Sequence, residues 1–210
     1  PQHSKYRKLL DPLFAPRRMA EQEEDITHRV NALIDGFIDA GECNFTEDFA
    51  EILPSSVFLG LMGLPLEELE MFLRLRDGIL HPEKLDPNAI LDPDARAAVM
   101  SRTGQEIYEY FGPLVDARTA APSDDVISGF TTAEIDGHRL VRDEILDILF
   151  LFLIAGLDTV SNSLTCMYEA LDDRRLDRVR LYGFDSFEGL PPVEHPEDLR
   201  LGWHQGQFSS

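Results

Sequence analysis

Cysteine is nearly absent, with 2 among 210 residues. Cys43 and Cys166 stand far apart, without CxxC or mixed Cys/His spacing, which argues against a disulfide framework or a zinc site and leaves two ordinary reduced thiols. Basic residues are also scarce: 19 Lys and Arg face 39 Asp and Glu, a formal charge of −20. Such a charge opposes binding to nucleic acid or to an anionic membrane surface. Long apolar runs are lacking too. The longest, Ile148 to Leu157, falls well short of the ~20 residues that cross a bilayer. No positively charged, apolar leader opens the sequence, so the expectation is a cytoplasmic protein with neither nucleic acid nor membrane as partner.

What is present is the composition of a folded protein. Hydrophobic residues make up 43% and charged residues 28%, with 14 Gly and 13 Pro, enough apolar material for a sizeable core. One large domain, or one domain plus a fragment, fits this length.

The pattern is almost entirely helical as far as Leu171. Ile26, Val30, Leu33, Ile34, Phe37 and Ile38 recur at helical spacing and are closed by Gly41. A second stretch runs from Phe49, Ile52 and Leu53 toward Met62, punctuated by Gly63 and Pro65, and a third from Leu66 to about Gly78. His81 to Asp94, with three prolines, reads as a loop. Ala95 to Ala120 returns to helix, with Tyr108, Phe111 and Val115 on one face and a kink expected at Gly112-Pro113. From about Val141 to Leu171 no strong breaker occurs, and the middle is apolar all round, which predicts a central helix buried on every side.

Inside that helix lies Ala155-Gly156-Leu157-Asp158-Thr159. Ala155 and Gly156 remove side-chain bulk, so a flat cofactor or a small diatomic ligand can approach the backbone. Asp158 and Thr159 put an acid and a hydroxyl beside an apolar surface, where they can relay protons. The residues by themselves leave alternatives open. A glycine in a buried helix usually serves packing, a threonine often bonds back to its own helix, and an aspartate pairs with a distant arginine.

The stretch DGHRLVRDEILDILFLFLIAGLDTVSNSL, Asp136 to Leu164, resembles the central helix and its lead-in from bacterial cytochrome P-450 haem-thiolate monooxygenases. The opening PQHSKYRKLLDPLFAPRRM resembles an early helix of that family, with His3 and Arg7 four residues apart, then Phe14 and Pro16. Residues at i and i+4 share a helix face, and two cationic donors there can grip two carboxylates. Asn44 to Pro65 resembles a later helix of the same family. The resemblance covers residues 1–171. It implies a mainly α fold, haem as cofactor with His3 and Arg7 on its propionates and Ala155 and Gly156 against it, and Asp158 and Thr159 as the catalytic pair. It also implies a small apolar substrate and a ferredoxin-type electron donor.

The family binds iron through a cysteine in a glycine-rich loop and carries a Glu-x-x-Arg motif. Neither is found here in that setting, since Cys166 lies on the long helix and Cys43 in a turn, so no residue is assigned as a metal ligand. The expectation is a P-450 fold without its N-terminal sheet and haem-cysteine half, inactive in this form.

Beyond a charged bridge, residues 172–178, the pattern changes. Val179 to Phe184 reads as a short strand with Asp185 at its carboxyl end, where a carboxylate can hold ribose hydroxyls. The runs YGFDSFEGLPP and GWHQGQFS resemble macrocin-type O-methyltransferases, which implies a short α/β, Rossmann-like fragment over residues 179–210 with Asp185 on the ribose of S-adenosylmethionine. The glycine-rich loop expected ahead of that strand is missing. Three readings follow: a haem monooxygenase of natural-product tailoring, a methyltransferase acting on a sugar or polyketide hydroxyl, and a non-catalytic chimeric remnant that self-associates through the apolar face of Ile145 to Leu157.

Overall fold

The structure, a computed structural model, describes residues 16–135 and 137–172. The chain divides into two units, Pro1–Tyr168 and Glu169–Ser210, and the core described below belongs to the first. His3, Arg7, Phe14, Asp185 and the whole of residues 179–210 lie outside the described residues.

Seven α-helices account for most of the described chain: α1 (Pro16–Glu21), α2 (Glu23–Phe37), α3 (Ile52–Met62), α4 (Leu69–Leu80), α5 (Pro93–Ala120), α6 (Val126–Thr132) and α7 (Arg142–Asp172). Their ends obey local chemistry. Asp92 accepts from the Asp94 N–H at the start of α5, and Asp125 accepts from the Ser128 N–H at the start of α6, each satisfying a donor that has no partner within the helix. Helix α3 ends at Gly63, whose φ of 68° is left-handed, while the Leu64 N–H bonds to the Leu59 carbonyl at 2.8 Å. A side chain at that φ would be strained.

Each expected helical stretch has its helix: α2 for Ile26–Ile38, α3 for Phe49–Met62, α4 for Leu66–Gly78, α5 for Ala95–Ala120 and α7 for Val141–Leu171. Several details differ. A π-turn, Thr46–Ala50, precedes α3. The segment read as a loop after His81 folds into two 3-10 turns, Pro82–Lys84 and Pro87–Ile90, because Pro82 and Pro87 each occupy a first helical position where the missing N–H costs nothing. Helix α5 continues through Pro113. Its buried line is Thr103, Ile107, Phe111 and Val115, whereas Tyr108 is half exposed, with its hydroxyl on Asp147 at 2.5 Å. Neither α6 nor the two-residue strands β1 (Glu134–Ile135) and β2 (His138–Arg139), paired antiparallel, had a periodic signal long enough to reveal them.

The core forms where α3, α4, α5 and α6 meet α7. Phe58, Leu59, Phe72, Ile107, Phe111, Ile127 and Phe130 pack with Leu146, Leu149, Leu153 and Leu157 of α7. Each fully buried Leu or Phe contributes roughly 1.5–3 kcal/mol. The expectation that α7 is buried all round is corrected by two exposed apolar side chains on different sides of it: Leu151 is 63% exposed and Val160 49%. The exposed side of the apolar middle of α7, from Leu151 to Thr159, is the feature that locates the site.

Candidate functional site

Leu151, Ala155 and Thr159 recur every four residues along α7 and are all exposed, so they form one open strip. Its chemistry grades from a large apolar side chain, through a small one, to a hydroxyl. Beside this strip lies an apolar groove of about 440 Å³ between α2, α3 and α7, lined among others by Val57, Phe58, Phe152, Gly156 and Val160 and sharing Ala155 with the strip.

Gly156 belongs to the groove side. A β-carbon built on it would stand 2.7 Å from Cδ2 of Phe58, so its lack of side chain admits the Phe58 ring to the helix backbone. Thr159 donates its hydroxyl to the Ala155 carbonyl at 2.8 Å, one turn back along α7, the back-bond open to a mid-helix threonine. Asp158, next to it, is partnered on both oxygens. Oδ1 lies 3.4 Å from Nε2 of His81, and Oδ2 accepts from Nδ2 of Asn162 at 2.7 Å. The distant partner of this aspartate is therefore a histidine from the end of α4.

The structure thus brings together Ala155, Gly156, Asp158 and Thr159 on little more than one turn of one helix and adds His81, which sequence reasoning left in a loop. Nothing local could have joined His81 to Asp158, because the contact is made only by the fold. His3, Arg7 and Asp185 lie outside the described residues.

The open strip fits one face of a flat, largely apolar cofactor: its centre is an alanine and its polar end a hydroxyl. A ligand for a metal is a separate requirement. Among the described residues no three His, Cys, Asp or Glu side chains stand close enough to hold an ion. Cys43 and Cys166 are exposed free thiols, and Cys166 lies on α7 two turns beyond Thr159, about 10 Å along the axis. Among the described residues, no helix is long and apolar enough to cross a membrane.

No protein-family model matches the sequence. Individual relatives do. Steroid C26-monooxygenase of Mycobacterium tuberculosis is 31% identical over 170 residues, which are 79% of this chain and 43% of the relative. Cytochrome P450(BM-1) of Priestia megaterium is 28% identical over 178 residues, 84% of this chain and 42% of the relative. Among solved structures, Mycobacterium marinum cytochrome P450 CYP268A2, in complex with pseudoionone, superposes with a TM-score of 0.72 at 27% identity, covering 84% of this chain and 42% of that one. The chain therefore spans less than half the length of the relatives it matches. Sequence identity and the superposed helices agree that over about 80% of its length this chain is homologous to the cytochromes P450.

Proposed function

We propose that this chain forms the α7-centred part of a haem monooxygenase that hydroxylates a small apolar metabolite. The observation that carries the reading is the open strip Leu151, Ala155 and Thr159 on a helix that buries Leu146, Leu149, Leu153 and Leu157 on its other side. A haem laid against that strip would restore its burial, and when bound it supplies the oxygen-activating chemistry. Ala155 gives the close approach to the backbone, Leu151 a dry neighbour, and His3 and Arg7 the two donors for propionates.

Asp158 and Thr159 are the residues that would hold and pass protons. A carboxylate beside a hydroxyl at the edge of an apolar surface can exchange protons with solvent on one side and a bound ligand on the other. In the arrangement seen here the Thr159 hydroxyl is committed to the Ala155 carbonyl and Asp158 to His81 and Asn162. Proton transfer would require both side chains to turn. A ferredoxin-type donor would supply electrons, in the cytoplasm, and natural-product tailoring is the setting the family resemblance suggests.

Titrating haem into the purified chain tests this. The expected result is a saturable change in the Soret absorbance that Ala155→Phe weakens at least tenfold, with no thiolate-type band after reduction under carbon monoxide. Binding indifferent to Ala155→Phe would put haem elsewhere and remove the reading. For residues 179–210, the run LYGFDSFEGLPP supports a second proposal, a methyltransferase-derived segment that makes the chain a hybrid. Calorimetry with S-adenosylmethionine checks it, with Asp185→Ala expected to abolish any binding.

A further inference from the structure

Two hydrogen-bonding groups hold the Asp158 carboxylate, and they differ in origin. Asn162 is one turn along the same helix, so its bond at 2.7 Å is available to any helix with this sequence. His81 comes from the residue that closes α4, and its Nε2 reaches Oδ1 of Asp158 at 3.4 Å only because α4 crosses α7 there.

His81 is itself well fixed. Its N–H bonds to the Asp77 carbonyl at 2.7 Å, and its own carbonyl accepts from the Lys84 N–H at 2.8 Å. On the other side of the ring, Nδ1 stands 3.7 Å from Oε1 of Glu83, and Oε2 of Glu83 stands 3.5 Å from Nη1 of Arg96. A chain of polar contacts thus runs from Arg96 on α5 through Glu83 and His81 to Asp158 on α7. It ends on the acid that the proposed monooxygenase reading makes a proton carrier.

We propose that His81 is a positioning residue for Asp158: it holds the carboxylate on the α4 side of α7, so that the segment between α4 and α5 sets the rotamer of the acid. Its role in proton delivery rests on the monooxygenase reading, whereas the positioning itself does not. An aspartate on a helix has few staggered χ1 choices, and a tertiary partner on one oxygen selects among them. On this proposal Asn162, one turn along the same helix, follows the carboxylate rather than directing it.

The test is the three-bond coupling between the backbone nitrogen and Cγ of Asp158, measured by NMR on the isotopically labelled full chain without haem. This coupling reports χ1 directly, which a general loss of stability does not mimic. The unsubstituted chain is expected to show the value of a single rotamer. His81→Ala should bring it to a rotamer-averaged value, and His81→Gln, which keeps a side-chain N–H donor, should restore the single-rotamer value in large part. Asn162→Ala should leave it unchanged. His81 is partly exposed, so its truncation opens no buried cavity. Should His81→Ala nevertheless fail to fold, Glu83→Gln, which loosens the ring from its other side, is expected to shift the coupling in the same direction. A coupling that stays fixed in these variants, or one that Asn162→Ala averages while His81→Ala does not, would overturn the proposal. Haem titration of the same samples separates the two ideas: no haem binding removes the monooxygenase reading and leaves the coupling result intact, while haem binding with an unmoved coupling removes only the positioning role.

Discussion

The ring of Phe58 lies against the backbone of Gly156, so close that an added β-carbon would meet Cδ2 at 2.7 Å. Phe58 is 6% exposed, and its neighbour Phe72 stands 6.2 Å away between ring centroids, which leaves the ring little room to retreat. Helix propensity favours Ala over Gly by about 1 kcal/mol, and overpacking a filled core costs about 1–3 kcal/mol. Gly156→Ala is therefore expected to destabilise the chain by about 1 kcal/mol in urea unfolding. Adding Phe58→Leu should recover part of that loss. A Gly156→Ala chain more stable than its parent would show that bulk at this position is not limiting.

A tighter crossing occurs between α4 and α5. A β-carbon at Gly78 would fall 2.2 Å from Oγ1 of Thr103, 2.7 Å from its Cγ2 and 2.9 Å from its Cβ, and Thr103 is only 1% exposed. Gly78→Ala should cost more than Gly156→Ala, about 3 kcal/mol, read as a larger drop in Tm. Thr103→Ala removes the two nearest atoms and leaves the third, so the double variant should recover some stability but not all.

Arg76 is buried, 2% exposed, with Nη2 at 2.7 Å from Oδ1 of Asp77 and 3.3 Å from Oε2 of Glu51. Lys84 reaches the same two carboxylates from the surface, at 3.1 and 3.7 Å. Arg76→Met would leave two part-buried carboxylates with one exposed cation, and removal of one member of such a network costs about 3–5 kcal/mol. Chemical denaturation should show a loss of that size. The triple variant Arg76→Met, Glu51→Gln, Asp77→Asn is expected to be markedly more stable than Arg76→Met alone, since it removes the uncompensated charge.

Asp125 predicts an acid-sensitive step. Burial alone would push its carboxyl upward, but hydrogen bonds from Ser123, Ser128 and Arg118 outweigh it and bring the pKa from 3.8 down to about 2. A carboxylate more acidic in the folded chain than in the unfolded one stabilises the fold above its unfolded pKa, and that contribution disappears as pH falls through the folded value. Between about pH 4 and 2 the chain should lose stability by this route. Asp125→Asn keeps a capping oxygen and cannot titrate, so its stability should fall less steeply over that window in pH-dependent thermal melts. Equal slopes would mean that other carboxylates dominate the acid limb.

Much of the helical scaffold was legible because it is local. Helices α2, α3, α5 and α7 announce themselves through apolar residues every three or four positions and through Gly41, Gly63 and Pro122 at their ends, all features of neighbouring residues. Helix α6, the β1–β2 pair and the 3-10 turns were not, since two to seven residues are too few for a period to develop. Tyr108 shows a further limit: spacing puts it beside Phe111 and Val115, yet it is 38% exposed and gives its hydroxyl to Asp147.

By itself the sequence determined a mainly helical chain with a long apolar helix carrying Ala155-Gly156-Leu157-Asp158-Thr159, and a resemblance to the cytochromes P-450 in the order of its segments. These are properties of residue type and near-neighbour spacing. Only the tertiary structure decided that α7 keeps one strip open at Leu151, Ala155 and Thr159, that Gly156 serves the Phe58 ring, and that Asp158 meets His81. Such outcomes depend on which helices cross, and a contact between residues far apart in the chain leaves no periodic trace in the sequence that produces it.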